Sequence, residues 1–191
     1  MDFFSSDQQF DQLYPDSISA LASRHWTPLT IAKEAANFLA VGSNSRILDI
    51  GSGVGKFCII GAKFHPNALF TGIEQRESLN QIAQSVSKEL SIQNVDFLTG
   101  NFTNIDFSQY QHFYFYNAFY ENLIDNDAID DSINQHPELF NLYNRKLYKQ
   151  LKNLPAGTRI ATFHSSENEM PSSYQVVGVG SNVDLKFWIK L

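Results

Sequence analysis

From residue 46 onward, apolar and polar positions alternate between two rhythms. Short runs rich in β-branched and aromatic residues occupy 46–50, 68–74, 95–99, 112–118 and 158–164, as expected of strands buried on both faces. Between the first three lie helical segments at 55–64 and 77–91, the second placing Leu79, Ile82, Ala83, Val86 and Leu90 at helical spacing. A longer amphipathic helix over 137–154, with Leu139, Leu142, Tyr143, Leu147, Leu151 and Leu154, precedes the fifth strand. Strands alternating with helices predict parallel pairing through helical crossovers, hence a three-layer α/β fold. The ending breaks the rhythm. Runs 174–180 and 183–190 are separated only by Ser181-Asn182, too close for a helical crossover, so they predict an antiparallel hairpin. Upstream, Thr27-Pro28 reads as an N-cap with proline just inside a helix carrying Leu29, Ile31, Ala32, Ala35, Phe38 and Leu39. The pattern predicts one domain over 1–191: a helical cap over 1–42, and an α/β core over 43–191 with a mostly parallel seven-stranded sheet.

Composition narrows the class. The chain has 191 residues, 43% apolar and 18% charged, with 14 Lys plus Arg against 20 Asp plus Glu for a net charge of −6. Such an acidic balance points away from a nucleic-acid partner, which calls for a basic face. A single cysteine, Cys58, allows no intrachain disulfide and no cysteine-based zinc cluster. No apolar run approaches the roughly 18 residues that span a bilayer, and the first basic residue is Arg24, which is not the charged start of a secretory signal. These features predict a cytoplasmic protein with no membrane partner.

The strongest constellation is Asp49-Ile50-Gly51-Ser52-Gly53-Val54-Gly55, between a strand and a helix. Glycines there let the backbone turn sharply and approach a ligand at the carboxyl edge of the sheet. A phosphate loop of the GxxxxGK[ST] type is excluded, because Phe57 follows Lys56. The GxGxxG dinucleotide fingerprint fails as well, since Lys56 stands where its third glycine belongs. What remains is an acid before three alternating glycines, with a second acid, Glu74, ending the second strand. A carboxylate at that place can accept hydrogen bonds from both ribose hydroxyls of a nucleoside.

These residues resemble the class I S-adenosylmethionine-dependent methyltransferases over 46–120, and the terminal hairpin is similar to that family's reversed last strand. The resemblance implies a Rossmann-like methyltransferase fold and S-adenosylmethionine as cofactor. It implies that Asp49, Gly51, Ser52, Gly53 and Gly55 accommodate the methionine and ribose portions, with Glu74 on the ribose and Gln75 beside it. Asn101 stands where the family often carries an acid touching adenine, with Phe102 next to it. His25-Trp26-Thr27-Pro28 resembles an N-terminal segment that closes over the cofactor, which brings Thr27 into the binding set.

Asn117-Ala118-Phe119-Tyr120 ends the aromatic strand. It loosely resembles the Asn-Pro-Pro-Tyr loop of amino-methylating enzymes and the Asn-Asn-Phe loop of the class I histone-lysine methyltransferases. Methyl transfer is an in-line displacement, so catalysis is mostly positioning of a lone pair. An amide oxygen accepts from the attacking N–H without competing as a nucleophile, and an aromatic ring flanks the cationic centre. Asn117 and Tyr120 are therefore the candidate catalytic residues, Asn117 also facing the cofactor. Glu121, Asp125, Asp127, Asp130 and Asp131 follow without a basic residue through His136, which reads either as a solvated face or as a surface recruiting a cationic amine. His25, His112 and His164 lack metal-ligand spacing, so no metal site is expected. The readings left open are an N-methyltransferase acting on a protein lysine or small amine, an O-methyltransferase with His164 as base, and a non-catalytic cofactor-binding module. Tyr14 is expected as a core contact and Cys58 as a small buried hydrophobe.

Overall fold

Strand β1 (Arg46–Ile50) lies between β2 (Leu69–Glu74) and β4 (His112–Tyr116) in the computed structural model, which describes residues 2–123, 129–130, 132–133, 135–165 and 167–191. With β3 (Val95–Thr99), β5 (Arg159–Phe163), β6 (Tyr174–Val179) and β7 (Leu185–Lys190), the sheet has the order β3-β2-β1-β4-β5-β7-β6. β1 to β5 pair in parallel, and β7 runs antiparallel to both β5 and β6. The chain goes outward from β1 to β3 and then returns to the other side of β1 as β4. The gap between the carboxyl ends of β1 and β4 is therefore the topological switch point, where open α/β sheets bind ligands.

The strand pleat sorts side chains onto two buried faces. Ile47, Phe70 and Tyr114 pack toward α4 (Leu29–Leu39), α5 (Lys56–Phe64) and α6 (Glu77–Glu89), while Leu48, Ile50, Phe113 and Phe115 pack with Leu147 and Leu151 of α7 (Pro137–Lys152). β1 shows the alternation directly, since Ile47 and Leu48 enter different clusters. Residues 2–26 wind through short helices α1 (Asp7–Phe10), α2 (Asp16–Ser19) and α3 (Ala22–His25) and dock on the glycine loop. Lys56 Nζ, almost fully buried, lies 2.6 Å from Asp7 and 2.7 Å from Asp11, and Tyr14 donates its hydroxyl to the Val54 carbonyl at 3.2 Å. Tyr14 is thus a core contact.

Four boundaries differ from the sequence reading. Pro28, not Thr27, caps α4, and the Leu29 N–H is taken by the distant Asp7 carboxylate at 2.8 Å. Thr27 Oγ1 instead meets the Tyr114 hydroxyl at 3.1 Å. β4 and β5 stop short because Asn117 (φ 45°) and His164 (φ 56°) enter the left-handed region, which ends an extended run. The hairpin turn spans 180–184 and is organised by Asn182, whose side chain accepts the Asp184 N–H at 2.9 Å.

Gly61 shows how tightly α5 lies on the sheet, for a Cβ there would sit 2.4 Å from the Phe70 ring. Alanine favours a helix by about 1 kcal/mol over glycine, whereas overpacking costs about 1–3 kcal/mol. The clash wins, so Gly61→Ala lowers the denaturant midpoint. A midpoint at or above the parent's would show that Phe70 gives way freely.

Candidate active site

The β1 loop opens a cavity of about 80 Å³ lined by Gly51, Gly53, Glu74, Arg76, Tyr116, Asn117, Ala118, Tyr120, Glu121 and the His25-Trp26 pair. Gly51 (φ 76°) and Gly53 (φ 52°) both require the left-handed region. A Cβ on Gly51 would lie 2.4 Å from that of Ala118, and one on Gly53 would lie 2.7 Å from the Trp26 ring. The loop therefore presents bare backbone to the cavity, and no side chain fits between its walls. Gly55 does something else. It lines none of the cavities described here, and a Cβ on it would meet Phe97 at 2.5 Å and Ala83 at 2.8 Å, so this glycine lets α5 approach β3 and α6. The sequence reading placed it in the cofactor set on its position in the loop; the packing adds a separate reason for a glycine here.

Glu74 ends β2 with both carboxylate oxygens directed by backbone. Oε2 accepts the Gly53 N–H at 3.1 Å and Oε1 the Arg76 N–H at 2.9 Å. Burial raises its pKa, opposed by these N–H groups and by the Arg76 guanidinium at 3.8 Å. Each oxygen keeps a lone pair for a ligand hydroxyl. Asp49 is more deeply enclosed. Burial pushes it up to about 8, with the Cys58 thiol donating to Oδ2 at 3.6 Å as a partial counterweight. Cys58 is buried as expected. Asp49, Ser52 and Thr27 line a second cavity of about 20 Å³, and Ser52 Oγ is a buried polar atom without a hydrogen-bond partner among the described residues.

On the other side of Glu74, Gln75, Gly100, Phe102, Ala118, Phe119 and Glu121 line a cavity of about 30 Å³. Asn101 is not among these residues. Its Nδ2 donates to Gln75 Oε1 at 3.0 Å and to the Tyr143 hydroxyl at 2.9 Å, and its Oδ1 accepts the Thr103 N–H at 3.0 Å. Its side chain holds Gln75 and the turn at Phe102. Among the described residues Asn117 has no side-chain hydrogen bond, and the next turn is capped at Phe119 without a side-chain bond. Asn117 therefore does not cap that turn. Tyr120 is 42% exposed and stands edge-on to Phe140 at 5.8 Å.

The acidic run is partly consumed in pairing. Arg76 takes Glu121 through both Nη atoms, at 3.1 and 2.7 Å, and Asp130 through Nε at 2.8 Å. Asp125, Asp127 and Asp131 lie outside the described residues. Sequence reading missed Arg76 as a cavity wall, and placed Trp26 only within the closing segment His25-Trp26-Thr27-Pro28. The one signal for Arg76 was a cation two residues after Glu74, facing a run of acids with no basic residue of its own. His164 Nδ1 lies 3.3 Å from Asp184 Oδ2, and His164 shares a groove of about 460 Å³ with Tyr116, Phe163 and Trp26. Among the described residues no group of three His, Cys, Asp or Glu side chains could hold a metal ion, and no helix is long and apolar enough to cross a membrane.

A sheet reversed only at its last strand, with a glycine loop at the switch point and a backbone-held carboxylate on the neighbouring strand, defines the class I S-adenosylmethionine-dependent methyltransferases. The family model described as a methyltransferase domain matches residues 42–174, and the chain belongs to that family. No curated protein matches it by sequence. Among solved structures it is similar to an RNA methyltransferase from Salinibacter ruber in complex with S-adenosyl-L-homocysteine, at 20% identity and TM-score 0.60, over 86% of this chain and 91% of that one. It is also similar to TrmN from Thermus thermophilus, at 16% identity and TM-score 0.58, over 84% of this chain and 48% of that one. MtNAS in complex with MTA and tNA aligns over 97% of this chain and 68% of its own, at 14% identity and TM-score 0.58. The enzyme uses S-adenosylmethionine, and its residues fit that cofactor: a side-chain-free loop, an unpartnered buried Ser52 Oγ, and Glu74 oxygens with lone pairs to spare.

Asp49 makes stability depend on pH in a definite direction. Its folded pKa of about 8 lies above the unfolded value near 3.8, so between those pH values the folded chain holds the extra proton. Its contribution to stability is complete below the lower value and is lost as pH rises toward the upper one. Asp49→Asn removes this dependence. In denaturation without cofactor, the variant gains on the parent between about pH 5 and 8 and then holds level. A constant difference across that window would mean that Asp49 is ionised in the fold.

Proposed function

We propose that this is a cytoplasmic methyltransferase of one domain, the cap at 1–42 included, that transfers methyl to an amine nitrogen of a small amine or a protein lysine. The observation that carries the acceptor class is Asn117. It stands at the carboxyl end of β4 in the cavity of Gly51, Gly53 and Glu74, its amide without a hydrogen bond among the described residues. A left-handed backbone suits asparagine for conformational reasons alone. That accounts for the residue type but leaves a free amide beside the glycine loop without a structural task.

When bound, the cofactor supplies an electrophilic methyl group on a sulfonium. Thr27, Gly51, Ser52 and Gly53 would hold its methionine end, Glu74 would accept from its ribose hydroxyls, and Gln75, held by Asn101, and Phe102 would hold its adenine. Asn117 Oδ1 accepts the acceptor's N–H and aims the lone pair, and Tyr120 flanks the cation. Trp26 and Tyr116 keep water from the centre. A second reading, methylation of a hydroxyl, is favoured by the His164–Asp184 pair at 3.3 Å, which orients an imidazole as a base.

Two substitutions separate binding from transfer. Glu74→Ala weakens S-adenosylhomocysteine binding about tenfold or more, since each charge-assisted hydrogen bond contributes about 1.5–3 kcal/mol. Asn117→Ala leaves that affinity nearly intact while kcat toward amine acceptors falls about 100-fold, the loss expected of misplaced reactants. Unchanged amine turnover in Asn117→Ala, with turnover of hydroxyl acceptors lost in His164→Gln, would replace this reading by the second. Binding without labelling of any protein, nucleic-acid or metabolite fraction would make the domain a cofactor-binding module.

A further inference from the structure

The groove of about 460 Å³ beside the glycine loop is larger than the three cavities along that loop, which hold about 80, 20 and 30 Å³. It runs between the N-terminal segment and the carboxyl ends of β4 and β5. Ala20, Ala22 and Ser23 give it one wall of small side chains, and Tyr116, Phe163 and His164 give it a wall of rings. The rings are contiguous, with centroids 4.9 Å apart from Tyr116 to Phe163 and 4.1 Å apart from Phe163 to His164. Trp26 and Tyr116 line the groove and also the cavities at Gly53 and at Ser52, so they form the neck between groove and loop. Both give their polar atoms to the N-terminal segment: Trp26 Nε1 donates to the Ile18 carbonyl at 2.9 Å, and the Tyr116 hydroxyl to that of Arg24 at 3.2 Å. What the neck offers a ligand is ring surface. Asp7 and Asp11 line the groove with Lys56 between them, at 2.6 and 2.7 Å. Two carboxylates against one ammonium leave one negative charge in excess, and the Asp7 side chain is 47% exposed. The hollow of about 240 Å³ at Gly42, His65 and Ala68 lies before β1 and β2, at the opposite edge of the sheet from Asn117.

We propose that this groove is the acceptor pocket, and that it takes a small amine whose nitrogen is joined to an aromatic ring by a short alkyl tether. The assignment rests on the amine reading above and narrows it. The ring lies against Phe163 and His164, where edge and offset contacts between rings are favourable. The tether passes the neck and brings the nitrogen to Asn117, which follows Tyr116 directly in the chain. An amine arrives as a cation, complementary to the excess carboxylate of the groove. It gives one proton to solvent, its lone pair forms the N–C bond as the C–S bond breaks, and S-adenosylhomocysteine is left. Positive charge grows on the nitrogen in that step, beside the Trp26 and Tyr116 rings, which stabilise a neighbouring cation. A protein lysine needs less. Its arm is an unbranched chain that fits a narrow passage, and a wall of three rings has no task for it. The volume of the groove falls in the range of pockets that enclose whole small molecules.

The test offers labelled S-adenosylmethionine with 2-phenylethylamine, n-hexylamine, Nα-acetyl-lysine amide or 2-phenylethanol as acceptor. The groove predicts a kcat/KM for 2-phenylethylamine about tenfold above those of the other two amines, because ring contacts add to the area buried. Ala20→Trp and Ser23→Trp each place an indole in the groove from an exposed position. Either variant raises KM for 2-phenylethylamine about tenfold, the mark of lost acceptor binding. Neither residue lines the cavities at the loop, so the Kd of S-adenosylhomocysteine stays within about twofold; thermal melting checks the fold. Equal kcat/KM for the three amines, a preference for the lysine amide, or a KM unchanged in both tryptophan variants overturns the groove and keeps the amine reading. Transfer to 2-phenylethanol in place of the amines overturns the amine reading and this assignment with it. A parent that binds S-adenosylhomocysteine yet neither methylates 2-phenylethylamine nor binds it at millimolar concentration overturns the groove as well.

Discussion

The β1 loop passes through a gap in which no Cβ fits, with Ala118 on one side and Trp26 on the other. That close approach fixes the rest of the site. Because Gly51 and Gly53 adopt left-handed backbone, their N–H groups turn to the β2 side, where Gly51 bonds the Ile73 carbonyl at 3.0 Å and Gly53 bonds Glu74 at 3.1 Å. The carboxylate is thereby held at the strand end with lone pairs left over. A side chain at either glycine would push away Ala118, and with it Asn117, or Trp26, and with it the N-terminal segment. Loop, ribose acid, amide and cap are held in register by one steric limit.

Two buried cations flank this loop and divide the acidic surplus. Lys56, just past the last glycine, gathers Asp7 and Asp11 and so ties down the N-terminal segment. Arg76, just past Glu74, gathers Glu121 and Asp130 and so ties down the segment after β4. Neither pairing is a cheap way to gain stability, because desolvating a charge costs several kcal/mol and the pair roughly repays it. What such pairs do provide is placement, since a buried cation left without its acids is strongly penalised. The acids that looked like surface decoration near the site are in this way built into its walls.

Aromatic packing carries that order through the sheet. Tyr114 stacks on Phe57 with centroids 3.9 Å apart and offers its hydroxyl to Thr27, linking β4 to α5 and to the entrance of α4. On the opposite face Phe119 stacks on Phe102 at 5.0 Å and lies 5.4 Å from Tyr143, joining the loop after β4 to the turn after β3 and to α7. The residues on either side of Asn117 are thus anchored in two different layers. This favours a left-handed Asn117 where the strand would otherwise continue.

The alternation of runs determined the strands, the helices and the closing hairpin, because strand and helix periods and short connections are local properties. The glycine spacing and the two acids were legible for the same reason, since a tight turn after a strand is set by neighbouring residues, and they carried the resemblance that implies the cofactor. Only the tertiary structure decided what depended on partners far along the chain. Asp7 rather than Thr27 satisfies the start of α4, and the space a side chain on Gly55 would need is taken by Phe97 and Ala83. Asn101 is occupied by Gln75 and Tyr143, while Asn117, of the same residue type, has no side-chain hydrogen bond among the described residues. Arg76 joins the site through acids 45 and 54 positions away. Charges and amides have no period to read. Their roles follow from which partner arrives within hydrogen-bonding distance, and that is settled only when the sheet brings β2 and β4 to either side of β1.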